Sequence, residues 1–256
     1  MPYFSLSLSR ISLPESLQTI GVDAFSYCQN ITEITIPNTV SNVGASAFRQ
    51  CSSLKLLNIG QNITEIPNAM CWGCSNLQTV NIQGNISKIG SNAFDGCRSL
   101  VFEIPSTVTQ INDYAFYDCR SISSITIPNG VEQLGAWVFA SCSKLATVNL
   151  TNNITRMGKG CFADTMALES ITIPTSLLFI QEQLFINSGL TSITIPTNIK
   201  FIGSNAFAGC ENLTSAKFNS PSGWVISSGE TLNLSNASTN ALYLRETYAG
   251  QEWTQY

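Results

Sequence analysis

Ile34-Thr35-Ile36-Pro37, continued by Val40-x-x-Val43-Gly44-x-x-Ala47-Phe48-x-x-Cys51-x-x-Leu54, decides how this chain folds, because the same pattern returns from end to end. The aromatic slot is the easiest to follow. It runs Phe25, Phe48, Cys71, Phe94, Phe116, Phe139, Phe162, Phe185 and Phe207, at intervals of 23 residues, shortened to 22 at two places. A fixed period of this length marks a repeat architecture, in which each unit buries its apolar side only against its neighbours.

Within one unit, Ile34 and Ile36 flank Thr35, a period-two pattern of β-branched residues that reads as a short strand, and Pro37 ends it. Strand centres follow at Ser12, Thr35, Asn58, Asn81, Glu103, Thr126, Asn149, Thr172, Thr194 and Lys217, ten strands in all. At about 4.8 Å per strand they give a rod roughly 45 Å long. Val40 and Val43 place two more apolar groups inside. Gly44, with Gly21, Gly90, Gly135, Gly158 and Gly203, is expected to turn the chain. The spacing of Ala47-Phe48-x-x-Cys51-x-x-Leu54 predicts one short turn of helix or 3₁₀ helix on the far side.

Composition narrows the function. Only 11% of the 256 residues are charged, with 12 basic and 16 acidic side chains and a net charge of −4, so a basic stripe for nucleic acid is absent. Histidine is absent too, which removes Ser-His, Cys-His and His-metal sites by inventory. The scattered acids, among them Glu33, Glu65, Asp95, Asp113 and Glu182, form no pair spaced to face across a cleft and read as solvated surface charge. No cofactor is expected, and no run of 18 apolar residues exists to span a membrane.

Repeats of the form I-x-I-P-x-x-V-x-x-I-G-x-x-A-F-x-x-C-x-x-L resemble the BspA-like, or treponemal-type, class of leucine-rich repeats, over residues 8–218. That resemblance implies a right-handed solenoid of about ten coils, with one parallel β-sheet face, helical turns opposite and a C-terminal cap. It also implies a secreted or cell-surface protein used in adhesion and protein recognition. The start of the chain shows no signal peptide.

Residues 1–14 enter partway through a coil, with Leu8, Ile11 and Leu13 in place but no Phe or Cys before them. Either residues 1–10 form a small cap or sequence precedes them; the second is the stronger expectation. The two shortened intervals fall around residues 101–104 and 188–190, where the missing residue should be absorbed in turns. After Phe218, Asn219-Ser220-Pro221-Ser222-Gly223 is turn chemistry. The solenoid is therefore read as residues 1–218 and a C-terminal cap segment as 219–256. In that cap, residues 224–226 and 231–234 read as strands. Residues 238–249 read as an amphipathic helix, with Ala241, Leu242, Leu244 and Tyr248 on one side and Trp253 folding back.

Seven of the nine cysteines share one slot, three residues after the anchor: Cys28, Cys51, Cys74, Cys97, Cys119, Cys142 and Cys210. Thr165 and Ser188 take the same slot in the other repeats, so the position asks for a small, buried, weakly polar group and the thiols are expected unpaired. Cys71-x-x-Cys74 falls on two core positions, with no second pair at zinc-site spacing. Eight Asn-x-Ser/Thr sequons, such as those at Asn62 and Asn153, arise from the repeat itself.

Two outward ladders make the candidate binding face. One is Thr35, Asn58, Asn81, Glu103, Thr126, Asn149, Thr172, Thr194 and Lys217. The other, two residues earlier, includes Leu56, Thr79 and Val101, with Leu56 and Val101 as its apolar points. Aromatic platforms for sugar stacking are missing from both, which weakens carbohydrate as a partner without removing it. The functional expectation is a non-enzymatic module recognising a protein or other host or partner macromolecule. The alternative is a structural spacer or stalk that displays a neighbouring domain.

Overall fold

The computed structural model describes residues 11–256. The cap or missing coil expected at residues 1–10 lies outside them. The described chain is a β-solenoid of about nine turns; its coils are numbered 1 to 9 here by their anchors, Phe25 to Phe207. Rings of the anchor column stack in one file through the core. Phe25 lies on Phe48 at 5.5 Å between centroids, and Phe94, Phe116, Phe139, Phe162, Phe185 and Phe207 continue the file at 5.4–5.8 Å. Cys71 interrupts it and is itself fully buried. Phe102 packs against both Phe94 and Phe116. A buried phenylalanine contributes about 1.5–3 kcal/mol of transfer free energy, so this file is the backbone of the core.

Two parallel sheets form, where one was expected. The first carries the foreseen strands, but in three pieces. Glu33–Thr35, Leu56–Ile59 and Thr79–Ile82 pair together; Ser124–Thr126 pairs with Thr147–Asn149; Ser192–Ile195 pairs with Ser215–Phe218. Ser12, Glu103 and Thr172 lie in no strand. The residue missing around 101–104 is therefore taken out of the sheet, contrary to expectation. The one missing around 188–190 is absorbed before Ser192–Ile195, as expected.

The second sheet is built from two-residue strands that end on the buried Val43 column. Its longest run joins Glu65–Ile66, Lys88–Ile89, Gln110–Ile111, Gln133–Leu134 and Arg156–Met157, and it passes the first sheet's gap at Glu103 without a break. A bond from the glycine-slot N–H back to the preceding coil supports it, as from Gly44 to Ile20 O and from Gly90 to Ile66 O, both 2.8 Å. Pro67 has no N–H to give, and the sheet stops between Asn42–Val43 and Glu65–Ile66. The other stop, before Phe179–Ile180, falls where Gln181 fills the slot.

The glycines of this slot open the turn rather than form its bend: Gly21, Gly90, Gly158 and Gly203 accept at O from the N–H three residues on, at 3.2–3.3 Å. They let coils touch: a Cβ at Gly44 would lie 2.3 Å from Val22 N, at Gly135 2.5 Å from Asp113 N, and at Gly203 2.4 Å from Glu182 N.

Nor is the far corner a helix. Two residues before and two after each anchor the backbone takes positive φ, as at Asp23 and Tyr27, Ser46 and Gln50, or Gln183 and Asn187. Between these kinks alternate N–H groups point along the stack. Ser46, Phe48 and Gln50 donate to the carbonyls of Asn68, Met70 and Trp72, and the same three bonds recur at each of eight junctions, at 2.7–3.2 Å. Neither positive-φ column contains a β-branched residue, because a branched Cβ is the side chain least tolerant of that conformation.

At the C-terminal end Trp253–Gln255 runs antiparallel to Phe201–Ile202 and to Trp224–Ile226, and Asn205 N donates to Ala249 O. Residues 231–234 form only a single bridge, Thr231 to Val225, rather than a strand. The helix spans Ala237–Leu242 and continues as a π-helical turn over Tyr243–Thr247, capped by Asn236 Oδ1, which accepts from Thr239 N at 3.0 Å. It packs against Ser215–Phe218, with Ala241 and Leu244 buried as read and Leu242 exposed instead. Trp253 is buried and stacks on Phe218.

Candidate binding faces

The first-sheet face positions the predicted residues by strand alternation: Ile34, Leu57 and Ile125 point in, so Thr35, Asn58 and Thr126 point out. Thr35, Asn81, Glu103, Thr126, Asn149, Thr172 and Thr194 are exposed, Asn58 half-buried. Their amides interlock across coils. Asn58 Nδ2 donates to Thr35 Oγ1 at 3.0 Å, Asn81 Nδ2 to Asn58 Oδ1 at 2.8 Å, and Asn149 Nδ2 to Thr126 Oγ1 at 3.0 Å. Glu103 and Thr172 sit in the sheet's gaps and divide the face into patches. Of the apolar points, Val101 is 69% exposed, Leu56 is half-buried beside the exposed Thr79. Near the second gap a shallow cleft of about 380 Å³ opens between residues 170–173 and 192–194.

The other faces carry residues that sequence reasoning passed over. On the corner, Arg49 lies between Tyr27 and Trp72, 5.5 and 4.2 Å from the ring centroids. Three coils on, Tyr114 meets Tyr117 edgewise at 5.8 Å and lies parallel to Trp137, 12° between planes and 6.5 Å between centroids. Over the second sheet runs a groove of about 930 Å³, lined by Gln110, Asp113, Glu132, Gln133, Arg156 and Lys159 among others. The signal was present in the sequence: Gln110, Gln133 and Arg156 share the slot just before the Val43 column, and Tyr114 and Trp137 the slot two before the anchor.

The cysteines are all buried and free. Six of the seven thiols of the shared slot, all but that of Cys28, reach back one coil. Cys51 Sγ donates to Phe25 O and Cys74 Sγ to Phe48 O at 3.0 Å, and Cys97, Cys119, Cys142 and Cys210 repeat the contact at 3.1 Å. Thr165 bonds within its own coil, to Phe162 O, and Ser188 Oγ lies 3.3 Å from Cys210 Sγ. Burial pushes the thiols up, that of Cys142 to about 12, so they stay protonated and unreactive. Among the described residues no group of three or more Cys, Asp or Glu could hold a metal ion.

One acid departs from the solvated reading. Asp118 is buried, held by Arg98 at 2.8 Å and Arg120 at 2.6 Å. Burial raises the pKa of Asp95 from its ordinary value against the lowering effect of the Asn92 hydrogen bond, and the Asp118 charge adds to the rise. The sequons at Asn62 and Asn153 have a structural use: each amide donates to the carbonyl of the asparagine one coil back, Asn38 and Asn129.

Against known proteins, a model of the BspA type leucine rich repeat region, in 6 copies, matches residues 3–122 and 101–214. A leucine-rich repeat protein from Bacteroides ovatus is 28% identical over 80% of this chain, with a TM-score of 0.72; the chain spans 60% of that protein's length. The leucine rich repeat protein of T. pallidum is 24% identical, with 76% of this chain and 82% of that one covered and a TM-score of 0.51. No curated protein matched significantly. No helix among the described residues is long and apolar enough to cross a membrane.

Proposed function

Because the chain belongs to the BspA-type leucine-rich repeat family, we propose that it is a non-enzymatic recognition module, displayed outside the cell, that binds a host or partner protein through its repeat surface. The observation that carries this reading is the interlocked amide ladder of Thr35, Asn58 and Asn81. Asn58 donates to Thr35 Oγ1 and also to Glu33 Oε1 at 3.5 Å, while Asn81 spends one N–H on Asn58 and keeps a second N–H and its carbonyl. The rotamers are fixed before any partner arrives, which lowers the ordering cost of binding. The face extends from Thr35 toward Thr194 and carries little charge, so it suits an extended protein surface better than a small ligand. Residues 219–256 serve as the cap that covers the last coil.

Replacing Asn81, Glu103 and Thr126 together by lysine tests the reading. Binding to host extracellular-matrix proteins, measured on a sensor surface, should fall at least about tenfold. Binding equal to that of the unmodified protein would remove the first-sheet face from consideration.

A further inference from the structure

We propose that the groove over the second sheet, together with the Tyr114 and Trp137 rings beside it, is a binding site for a neutral oligosaccharide. The groove's lining residues Asp113 and Ala136 are followed in the chain by Tyr114 and Trp137. Trp137 lies flat. A Cβ placed on Gly160 of the next coil would be 2.4, 2.5 and 2.6 Å from Cε3, Cζ3 and Cδ2, three adjacent atoms at nearly one distance. That geometry puts Gly160 under the ring face, not at its edge, and Trp137 is half-buried, with part of its surface open to solvent. Tyr114, half-buried like Trp137, is parallel to it and offset, and lengthens the platform by one coil. Flat aromatic faces are what the C–H side of a pyranose ring stacks against.

The groove supplies the polar half. Gln110 and Gln133 offer amides that both donate and accept, as sugar hydroxyls require. Asp113 is held ready, its Oδ1 accepting from Ala136 N at 2.7 Å while Oδ2 stays available. The charges lining it balance, Asp113 and Glu132 against Arg156 and Lys159, and Lys159 is already paired with Glu182 at 2.9 Å. A polyanionic glycan would find no net attraction here. Gly135 and Gly158 keep the floor low, and the lining runs from Ser91 in coil 4 to Gln181 in coil 8. Four coil steps make about 19 Å, room for a chain of roughly four sugar rings. A peptide is the poorer fit, because the sheet presents a face whose backbone is already bonded and no apolar socket for an anchor side chain.

Titration calorimetry of the full chain with cellohexaose, chitohexaose, maltohexaose and an acidic heparin hexasaccharide tests the site. At least one neutral hexasaccharide should bind, with affinity reduced about tenfold by Trp137→Ala. Gln133→Ala, at an exposed position that leaves the fold intact, should reduce it about threefold. The triple lysine substitution on the first sheet should leave sugar binding unchanged, so either surface can fail without the other. The proposal is overturned if no neutral sugar binds at millimolar concentration, if the acidic hexasaccharide binds more tightly, or if Gln133→Ala binds like the unmodified chain.

Discussion

The junction between coils 6 and 7 and the one between coils 7 and 8 are built from the same parts in different number. At the first, Ser124–Thr126 pairs with Thr147–Asn149, Gln133–Leu134 pairs with Arg156–Met157, and the corner adds its three bonds. At the second both sheets stop, and the backbone is laced by the corner, Gly160 to Glu182, Phe162 to Leu184 and Asp164 to Ile186, and by two bonds just past it, Gly189 N to Thr165 O at 3.1 Å and Thr191 N to Glu169 O at 2.9 Å. Side chains do not make up the loss. Ser188 turns toward Cys210 of coil 9 instead of reaching back, leaving Asn152 with Thr175, Ser176 with Ile154 O, Asn187 with Asp164, Thr191 Oγ1 with Glu169 O and the Lys159–Glu182 pair. Stability of a solenoid is approximately a sum over such interfaces. The difference teaches that this rod has a seam, set by which ladders cross it and not by the core, whose phenylalanine file passes through unchanged.

The strongest way to break the comparison is to remove a ring from the file on the seam. Phe162 stacks on Phe139 at 5.7 Å and on Phe185 at 5.8 Å, so Phe162→Ala should cost about 3–5 kcal/mol. Because neither sheet ladder crosses this junction, urea unfolding should split into two transitions, coils 8 and 9 with their cap opening first. Phe139→Ala should cost about as much yet leave one transition. A single transition in both variants, followed by circular dichroism and tryptophan emission, would erase the seam.

A smaller effect sharpens it. Gly158→Ala places a methyl 2.5 Å from Ala136 N, inside the well-laced junction, and should cost about 1–3 kcal/mol. Gln181→Ala, in the same slot at the seam, should change stability by less than about 0.5 kcal/mol. Equal costs would mean that both junctions are packed alike.

Alkali gives a weaker, directional test. Cys142 joins coils 5 and 6 and its thiol is raised to about 12, so the folded state holds a proton that the unfolded chain gives up near 9. Stability is full below pH 9 and falls as the pH rises from 9 towards 12. Cys142→Ser removes its own share of that titration and should make this slope shallower, the other buried thiols keeping the rest, at a cost of about 1 kcal/mol at neutral pH. An unchanged slope would show that the thiol is not the titrating group.

Much of this was legible because periodicity reports burial. The Phe file, the thiol slot and the inward Ile pairs follow from spacing alone, and most are buried as read, with Phe25, Val148, Leu150 and Ile171 only half-buried. The second sheet was hidden for a physical reason. A strand of two residues leaves no alternation to see, so Val40 and Val43 spoke only of an interior. The corner was misread because Ala-Phe-x-x-Cys-x-x-Leu has the spacing of a helix while its backbone alternates in hand. The clue lay in the columns on either side of the anchor, where Tyr27, Gln50, Trp137 and Asn187 stand and no valine, isoleucine or threonine does. The first-sheet ladders were visible as polar columns. The groove was not, since Gln110, Gln133 and Arg156 face outward from strands that had not been recognised.

The folded-back end has a consequence for assembly. Trp224–Ile226 has Trp253–Gln255 on one side, and on the other the Thr231 turn, with Leu232 N bonding to Trp224 O and Ile226 N to Glu230 O. Both rims of the final strand are thus spoken for by the chain itself. A second molecule arriving there meets no open row of amides to copy, so filaments cannot grow by adding β-strands to that rim of the second sheet.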